Sequence, residues 1–402
     1  MKIVFQDPEF SFQLLRAIGN AVYGGADIGE CLSTAYRIKE GDFESWYQEW
    51  LKTADRVRKI ADKCLAGGHR VSAREAYLRA SNYYRSAEFY LHGDPSDPRI
   101  LQTWGKSREC FSKAAQLFSP PFQAVEISYE GTTLPGYFFR VDDSGTPRPT
   151  LLLHTGFDGT VEELYFDGGA AALRRGYNCL AFEGPGQGRV IREQKIYFRP
   201  DWERVVTPVV DYALTRPEVD PHRIALMGLS LGGYLAPRAA AYEHRIVACI
   251  ANGGVFDFFE GVTAKYPESP EAIKEHIIQD PSAFDAEMRE AARSNSELRW
   301  SMEDGMWKFG ATSPSEWMLK ITDYTLKDCA DKITCTTLVI DSEAEQFFGG
   351  QAQKLYDALK CPKEFMVFTI EESAEEHCQI GAHALSHQRI FDWLDRTLAE
   401  VA

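Results

Sequence analysis

The stretch "RIALMGLSLGGYLA", residues 223–236, decides the fold of this 402-residue chain. An apolar run ends at Gly228, and Ser230 then stands between two glycines, just before a segment that suits a helix. A strand that turns sharply into a helix needs small neighbours at the turn, and it exposes the serine Oγ above the sheet. The pattern therefore predicts a nucleophile elbow with Ser230 as the nucleophile. The alternative is a tight strand–helix turn that carries an incidental serine.

Short apolar runs on both sides of this stretch alternate with segments of helical character. We interpret them as buried strands, at residues 149–156, 178–184, 223–228, 245–254, 336–343 and 364–370. Apolar strands that alternate with helices are typical of a mostly parallel sheet covered on both faces. Just before them, "AVEISYEGTTLPGYFFR" at 124–140 alternates and turns at Glu130-Gly131, which predicts a hairpin.

The chain is expected to divide into a helical segment at 1–121 and an α/β domain at 122–402. In the first segment apolar residues such as Trp46 and Trp50 recur at the helical period and are interpreted as packing core. Ser72–Glu75 has the pattern of a capping box that begins a helix. From about 256 to 331 the chain is polar and acidic, too long for a simple crossover, and is interpreted as a lid insertion over the sheet edge. The last helix is predicted near 382–400.

Composition excludes several classes of partner. The 59 acidic and 44 basic residues give a net charge of −15, which argues against nucleic-acid binding. The first residues, "MKIVFQDPEFSF", do not resemble a secretory signal, and no apolar run reaches the roughly 18 residues of a membrane helix. Nine scattered cysteines form no C-x-x-C pair, which favours free thiols in a reducing compartment. We therefore expect a cytoplasmic protein without membrane partners.

A serine hydroxyl becomes a useful nucleophile only when a base takes its proton. That base is expected to be a histidine on a loop after the last strand. His377, in "EESAEEHCQIG", lies in such a loop and is the predicted base. His383 and His387 share one face of the following helix, as metal ligands can, but no third ligand is evident nearby. We interpret that pair as surface polar residues.

The acid of a triad should follow the preceding strand, where Asp341, Glu343 and Glu345 are candidates. A spacing of about four residues between the strand end and the acid favours Glu345. Such a carboxylate accepts a proton from Nδ1 of His377, fixes the tautomer and stabilises the imidazolium. Asp341 and Glu343 remain alternatives at this point.

Backbone amides are the expected donors to the developing oxyanion. One is the N–H of Leu231, directly after the nucleophile, and the other is the N–H of Phe157 in "HTGFDGT", where Gly156 allows close approach. His154 ends a buried strand and is interpreted as structural. The glycine-rich "FEGPGQG" at 182–188 lacks the Lys-Ser/Thr of a phosphate loop and the G-x-G-x-x-G spacing, so a tight turn is predicted there. No metal and no organic cofactor is expected.

Taken in order over residues 122–402, "HTGFDGT", "FEGPGQG", "GLSLGG", "DSEAEQFF" and "EESAEEHC" resemble the α/β-hydrolase superfamily. The helical N-terminal segment with "WYQEW" narrows the resemblance to the subgroup that contains 2,6-dihydropseudooxynicotine hydrolase and the fungal polyketide-shortening hydrolases. The resemblance implies an α/β-hydrolase fold with a helical cap and lid, a Ser230–Glu345–His377 triad, and cleavage of a carbon–carbon bond beside a ketone. It also suggests Glu260 as a substrate-binding carboxylate.

Three functional hypotheses follow. The first is a C–C bond hydrolase that acts on a 1,3-diketone or polyketide-like small molecule in a mostly apolar pocket. The second is a carboxylesterase or acyl-aminoacyl peptidase with the same triad. The third is a non-catalytic binding protein on a hydrolase fold, against which the complete triad argues. A homodimer through the aromatic N-terminal helices is a further expectation.

Overall fold

A computed structural model describes residues 1–400 of the chain. These residues form two compact units. The first, the helical unit, comprises Met1–Gln123 together with Met288–Trp307, and the second, the α/β unit, comprises Ala124–Glu287 and residues 308–400. Residues 288–307 were predicted from the sequence to be part of the lid insertion at about 256–331. In the structure they belong to the helical unit.

The helical unit begins with five α-helices. They are α1 (Pro8–Gly19), α2 (Ile28–Ala35), α3 (Phe43–Ala66), α4 (Arg70–Glu88) and α5 (Pro98–Ala115). Trp46 and Trp50 of α3 are fully buried, as the helical spacing predicts, and the Trp46 Nε1–H donates to the Ser86 carbonyl at 2.7 Å. The predicted capping box at Ser72–Glu75 is wrong. The helix α4 begins earlier, at Arg70, so these residues lie inside it.

The α/β unit is built on one eight-stranded sheet. Its strands are β1 (Gln123–Tyr129), β2 (Thr132–Phe139), β3 (Arg148–His154), β4 (Asn178–Phe182), β5 (Val219–Leu229), β6 (Ala248–Asn252), β7 (Thr336–Ser342) and β8 (Lys363–Phe368). They lie in the order β1-β2-β4-β3-β5-β6-β7-β8. Strand β2 is antiparallel to β4, and β3 to β8 run parallel. The predicted hairpin and the predicted mostly parallel sheet are both confirmed.

Helices connect these strands and continue the numbering. They are α6 (Ala170–Arg174), α7 (Glu203–Leu214), α8 (Gly232–Ala240), α9 (Phe258–Thr263), α10 (Pro270–Gln279), α11 (Pro281–Ala292), α12 (Ser296–Lys308), α13 (Pro314–Ile321), α14 (Gln351–Ala358) and α15 (His383–Ala399). Every residue of β4 and β6 is buried, which explains why these strands are apolar throughout instead of alternating. The carboxyl ends of β3, β5, β6, β7 and β8 meet at one edge of the sheet, where polar loops follow them.

His383 and His387 are buried, so their interpretation as surface residues is wrong. Only 3% and 5% of their surfaces are exposed, and the two rings stack with centroids 5.2 Å apart. The Nε2 of His387 lies 3.0 Å from the Asp167 carbonyl oxygen, to which a neutral ring can donate. Burial lowers the pKa of His387 to about 3, which keeps it neutral at physiological pH. The pair faces the packed side of α15 and not solvent.

Three further properties concern the described part of the chain. Within residues 1–400, no helix has both the length and the hydropathy needed to cross a bilayer. The same residues hold no group of three or more His, Cys, Asp or Glu side chains arranged to bind a metal ion. All nine cysteines are free thiols.

The core of the sheet provides the first prediction. Leu226 lies on β5 between β3 and β6 and is fully buried, so Leu226→Ala leaves a cavity there. We expect the free energy of unfolding of the α/β unit to fall by about 2–5 kcal/mol, measured by urea denaturation followed by circular dichroism. The matched control is Leu214→Ala at the end of α7, where the side chain is 37% exposed and the expected loss is below about 1 kcal/mol. Equal losses would contradict a core position for Leu226.

Candidate active site

Ser230 occupies the sharp turn between β5 and α8. Its backbone has a φ of 61°, a left-handed conformation that is strained for a residue with a side chain. Glycines make the turn sterically feasible, because a Cβ at Gly228 would lie 2.1 Å from the carbonyl oxygen of Gly232. The Ser230 N–H donates to the Asn252 carbonyl of β6 at 2.9 Å, which ties the turn to the neighbouring strand. The local geometry is that of the predicted elbow.

A chain of hydrogen bonds connects the three residues that the sequence selected. The Oγ of Ser230 lies 2.9 Å from Nε2 of His377, and Nδ1 of the same ring lies 2.6 Å from Oε2 of Glu345. The other carboxylate oxygen of Glu345 accepts the N–H groups of Phe347 and Phe348 at 2.8 and 3.2 Å. With Nδ1–H donating to the carboxylate, Nε2 is left to accept the serine proton.

The two alternative acids are engaged elsewhere. Asp341 accepts the N–H of Ser342 at 2.9 Å, and Glu343 accepts the N–H of Ile370 at 2.7 Å. Burial raises the pKa of Asp341, and the nearby negative charge of Glu345 raises it further. The structure therefore brings Glu345, and neither alternative, to the histidine.

Charge complementarity determines the ionisation of the buried His377–Glu345 pair. Burial alone would lower the pKa of His377, but the adjacent Cys378 and the Glu345 carboxylate outweigh it and hold that pKa well above its usual value. Burial alone would raise the pKa of Glu345, yet the charge of His377 and the hydrogen bonds to this carboxylate keep it lowered. The pair favours a carboxylate beside an imidazole that gains a proton readily.

Two residues beside His377 were not predicted from the sequence to belong to the site. Cys378 has a φ of 51°, and its Sγ lies 3.4 Å from Nε2 of His377 and 3.2 Å from the Ser230 nitrogen. Gly253, after β6, has a φ of 86°, and a Cβ there would lie 3.3 Å from Cε1 of His377. The signals in the sequence were the "HC" pair and the double glycine that follows an apolar strand. Both residues shape the space around the imidazole.

The predicted oxyanion donors lie on neighbouring loops. A Cβ at Gly156 would come within 2.5 Å of the Leu231 nitrogen, so the loop after β3 contacts the turn after β5. Within residues 1–400 the Leu231 N–H has no hydrogen-bond acceptor. The Gly156–Phe157 peptide unit thus lies beside the Leu231 amide, an arrangement that two donors to one oxygen require.

His154 lies beneath these loops and is fully buried. Its Nδ1 is 2.9 Å from the Thr155 carbonyl oxygen, and its ring packs against Phe182 and Trp202 with centroids 5.3 and 5.7 Å away. Burial lowers the pKa of His154 to about 4, so it is neutral at physiological pH. These contacts agree with the structural role that its position in the sequence suggested.

An aromatic wall adjoins the histidine, and we use that name for Phe157, Phe258, Phe347 and Phe348. The rings of Phe347 and Phe348 lie edge-on to His377, with centroids 4.9 and 5.7 Å away. Phe258 continues the wall from Phe348, at 5.7 Å, to Phe157, at 6.5 Å. The wall connects His377 to the loop after β3 by apolar contacts, and no periodic pattern in the sequence indicates it.

Glu260, at the start of α9, is neutralised by two lysines. Its carboxylate oxygens lie 2.6 Å from the Nζ atoms of Lys327 and Lys354. Burial would raise the pKa of Glu260, but these two ammonium groups outweigh it and hold the pKa below its usual value. The ion pairs join α9 to α14 and to the segment after α13. A substrate role for Glu260 stays a prediction.

Known proteins are similar to this chain in sequence and in fold. Residues 150–371 match the alpha/beta hydrolase family. A Fusarium protein named hydrolase LUC6 is 38% identical over 416 residues, which cover 99% of this chain and 98% of the relative. The 20-hydroxy-prefusarin hydrolase FUS2 of Gibberella moniliformis is 36% identical over 415 residues, with 99% of each chain covered.

A solved structure is also similar along nearly the whole chain. The crystal structure of 2,6-dihydroxy-pseudo-oxynicotine hydrolase superposes with a TM-score of 0.75 and 23% sequence identity. The superposition covers 94% of this chain and 95% of that one. At this level of identity the similarity concerns the fold.

The raised pKa of His377 leads to the second prediction. Only neutral His377 can accept the Ser230 proton, so the rate of fluorophosphonate labelling should increase with pH through a midpoint above 6.5. In Glu345→Gln the stabilising negative charge is lost, so the midpoint should move to lower pH and the plateau should fall roughly 10³- to 10⁴-fold.

The control for this experiment is Glu343→Gln, which removes a neighbouring carboxylate that accepts a hydrogen bond from the Ile370 N–H. Its pH midpoint should match that of the wild type. A midpoint that is unchanged in Glu345→Gln would show that Glu345 does not set the proton affinity of His377.

Proposed function

The chain belongs to the α/β hydrolase family, as its resemblance predicted, and from that premise we propose that it is a serine hydrolase that cleaves a carbon–carbon bond beside a ketone. The proposed substrate is a 1,3-diketone or polyketide-like small molecule. The observation that carries the proposal is the continuous hydrogen-bonded chain from Glu345 through His377 to Ser230. No metal or cofactor takes part in the proposed reaction.

In the proposed mechanism His377 Nε2 removes the Ser230 proton as Oγ attacks the ketone carbon. The carbonyl oxygen becomes an oxyanion, which accepts hydrogen bonds from the N–H groups of Leu231 and Phe157. Glu345 stabilises the imidazolium that forms in this step. Preorganised donors of this kind do not have to reorient as the charge develops.

The tetrahedral intermediate then collapses, and the bond between the attacked carbon and the neighbouring carbon breaks. The bonding electron pair leaves as an enolate, stabilised by the second carbonyl of a 1,3-diketone, and the imidazolium of His377 returns a proton to it. The acyl group remains on Ser230. Water activated by neutral His377 then releases a carboxylic acid and restores the serine hydroxyl.

Two observations support this substrate class. The aromatic wall presents apolar ring surfaces beside His377, which suits an uncharged, ring-bearing substrate. A relative that covers almost the whole chain is named 20-hydroxy-prefusarin hydrolase. A carboxylester or an acyl-peptide bond needs the same nucleophile, base and oxyanion donors, so the nature of the leaving group distinguishes the hypotheses.

The third prediction concerns the nucleophile. A fluorophosphonate probe should add one adduct mass to the wild-type protein and none to folded Ser230→Ala, as measured by intact mass spectrometry. Ser373 is a matched control because it also has a left-handed backbone, with a φ of 56°, and is exposed. Ser373→Ala should label like the wild type. A folded wild type that acquires no adduct would favour a binding protein on a hydrolase fold.

The fourth prediction concerns the bond that is cleaved. We expect 1-phenyl-1,3-butanedione to be converted to a carboxylic acid and a ketone with a kcat/KM at least about tenfold above that for phenyl acetate. Product analysis by liquid chromatography checks both reactions. Ester turnover without diketone cleavage would instead assign the protein to the carboxylesterases.

A further inference from the structure

The glycine-rich segment 182–188, which the sequence predicted to be only a turn, contains a buried glutamine. Gln187 is 1% exposed. Its Oε1 accepts the N–H of Gly184 at 2.9 Å. Its Nε2 donates to two consecutive carbonyl oxygens of the loop after β3, that of Thr155 at 2.7 Å and that of Gly156 at 3.1 Å. One side chain thus joins the turn after β4 to the loop after β3.

The orientation of the Gln187 amide follows from its partners. A backbone N–H can only donate, so the atom that faces Gly184 is the oxygen. Backbone carbonyls can only accept, so the NH₂ group faces Thr155 and Gly156. All three contacts are satisfied in this orientation, and rotating the amide by 180° would break all three.

The contact with Gly156 bears directly on the oxyanion site. The Gly156 carbonyl and the Phe157 N–H belong to the same peptide unit, which is planar and trans. When the carbonyl oxygen points toward Gln187, the N–H of that unit points in the opposite direction. A flip of this peptide would remove the Phe157 N–H from the site and replace it with a carbonyl oxygen. Gln187 opposes that flip, because the flip would leave its buried NH₂ group without this acceptor.

Other buried groups hold the same loop. The Nζ of Lys308, which is 1% exposed, donates to the Phe157 carbonyl at 2.8 Å. The carboxylate of Glu183 accepts the N–H of Val161 at 2.7 Å, also from a buried position. The carbonyls of three successive residues, 155–157, therefore all meet donors within the α/β unit. The loop is held by specific hydrogen bonds and not by sheet pairing.

We propose that Gln187 is a positioning residue for the oxyanion site, which fixes the Gly156–Phe157 peptide so that its N–H faces the reacting carbonyl oxygen. This inference rests on the proposed serine hydrolase function. Gln187 also polarises the peptide, because a donor on the carbonyl strengthens the N–H at the other end. It acts on the transition state through Phe157.

A role of this kind predicts a specific kinetic signature. The oxyanion exists in the transition state and not in bound substrate, so loss of the positioning contact should lower kcat and leave KM nearly unchanged. Removal of an oxyanion donor costs roughly 10²- to 10³-fold in kcat. Loss of the contact that holds the peptide should lower kcat less than loss of the donor itself. We therefore expect kcat to fall roughly 10- to 100-fold.

The experiment, our fifth prediction, uses Gln187→Met and Gln187→Glu in the full chain. Methionine keeps the length of the side chain without either polar group, and glutamate keeps the acceptor for Gly184 but lacks the donor NH₂. The matched control is Gln194→Met. Gln194 also donates its amide to a backbone carbonyl, that of Thr133 at 2.9 Å, but this contact lies on β2. The control should retain wild-type kinetics.

Two ligands distinguish a positioning role of Gln187 from a general structural effect of its substitution. An alkyl trifluoromethyl ketone adds to an active serine as an oxyanion-bearing hemiketal, whereas the corresponding trifluoromethyl alcohol binds without adding. We expect both Gln187 variants to bind the ketone about 10- to 100-fold more weakly and the alcohol within about twofold of wild type. The rate constant for fluorophosphonate labelling of Ser230 should fall with the ketone affinity.

The outcomes are distinct. Equal weakening of ketone and alcohol, an effect confined to KM, or loss of the fold in both variants would overturn the positioning role. If wild-type protein is not labelled and does not bind the ketone more tightly than the alcohol, the proposed hydrolase function fails. If the wild type reacts and folded Gln187 variants react equally fast, only the inference about Gln187 fails.

Discussion

The left-handed backbone at Ser230 is the constraint on which the rest of the site depends. A serine at a φ of 61° is held there only if its surroundings define its position more strongly than its own conformational preference. The hydrogen bond from its N–H to the Asn252 carbonyl restrains this backbone, and the close approach of Gly156 restrains it further. The glycines near Ser230 are therefore required by packing at the elbow, because any Cβ at Gly228 or Gly156 would meet backbone atoms.

The buried pair of His377 and Glu345 has a different energetic basis. Removing an acid and a base from water carries a large desolvation penalty, and such pairs are weak contributors to stability. Here each polar atom of the pair has a partner, including two backbone N–H groups on the carboxylate. The arrangement fits the proposed function, because a fixed tautomer and a raised proton affinity at Nε2 are what a general base requires.

Under the proposed function, the loop after β3 meets a structural and a catalytic requirement with the same contacts. Loops after parallel strands lack ladder hydrogen bonds, so their carbonyls must find other donors when they are buried. Gln187 and Lys308 supply those donors, and by orienting the carbonyls they also orient the opposing N–H groups. The same contacts thus satisfy buried polar atoms and, under the proposed function, hold the Gly156–Phe157 peptide for the oxyanion.

Local patterns in the sequence determined the strands, the elbow and the chain order of Ser230, Glu345 and His377. These features depend on neighbouring residues, on apolar runs and on turn chemistry, which a sequence displays directly. They were enough to predict the α/β fold, and spacing favoured Glu345 over Asp341 and Glu343. The helix that begins at Arg70 instead of Ser72 shows the limit of such patterns, because helix ends depend on tertiary contacts.

Only the tertiary structure decided which polar groups meet. Three contacts join residues from different segments of the chain: the His387 ring at the Asp167 carbonyl, the sulfur of Cys378 at the Ser230 nitrogen, and the amide of Gln187 at the Gly156 carbonyl. A polar side chain has the same appearance in a sequence whether it faces solvent or a buried carbonyl. Its direction is determined by the packing of elements that lie far apart along the chain, and that packing exists only in the folded protein.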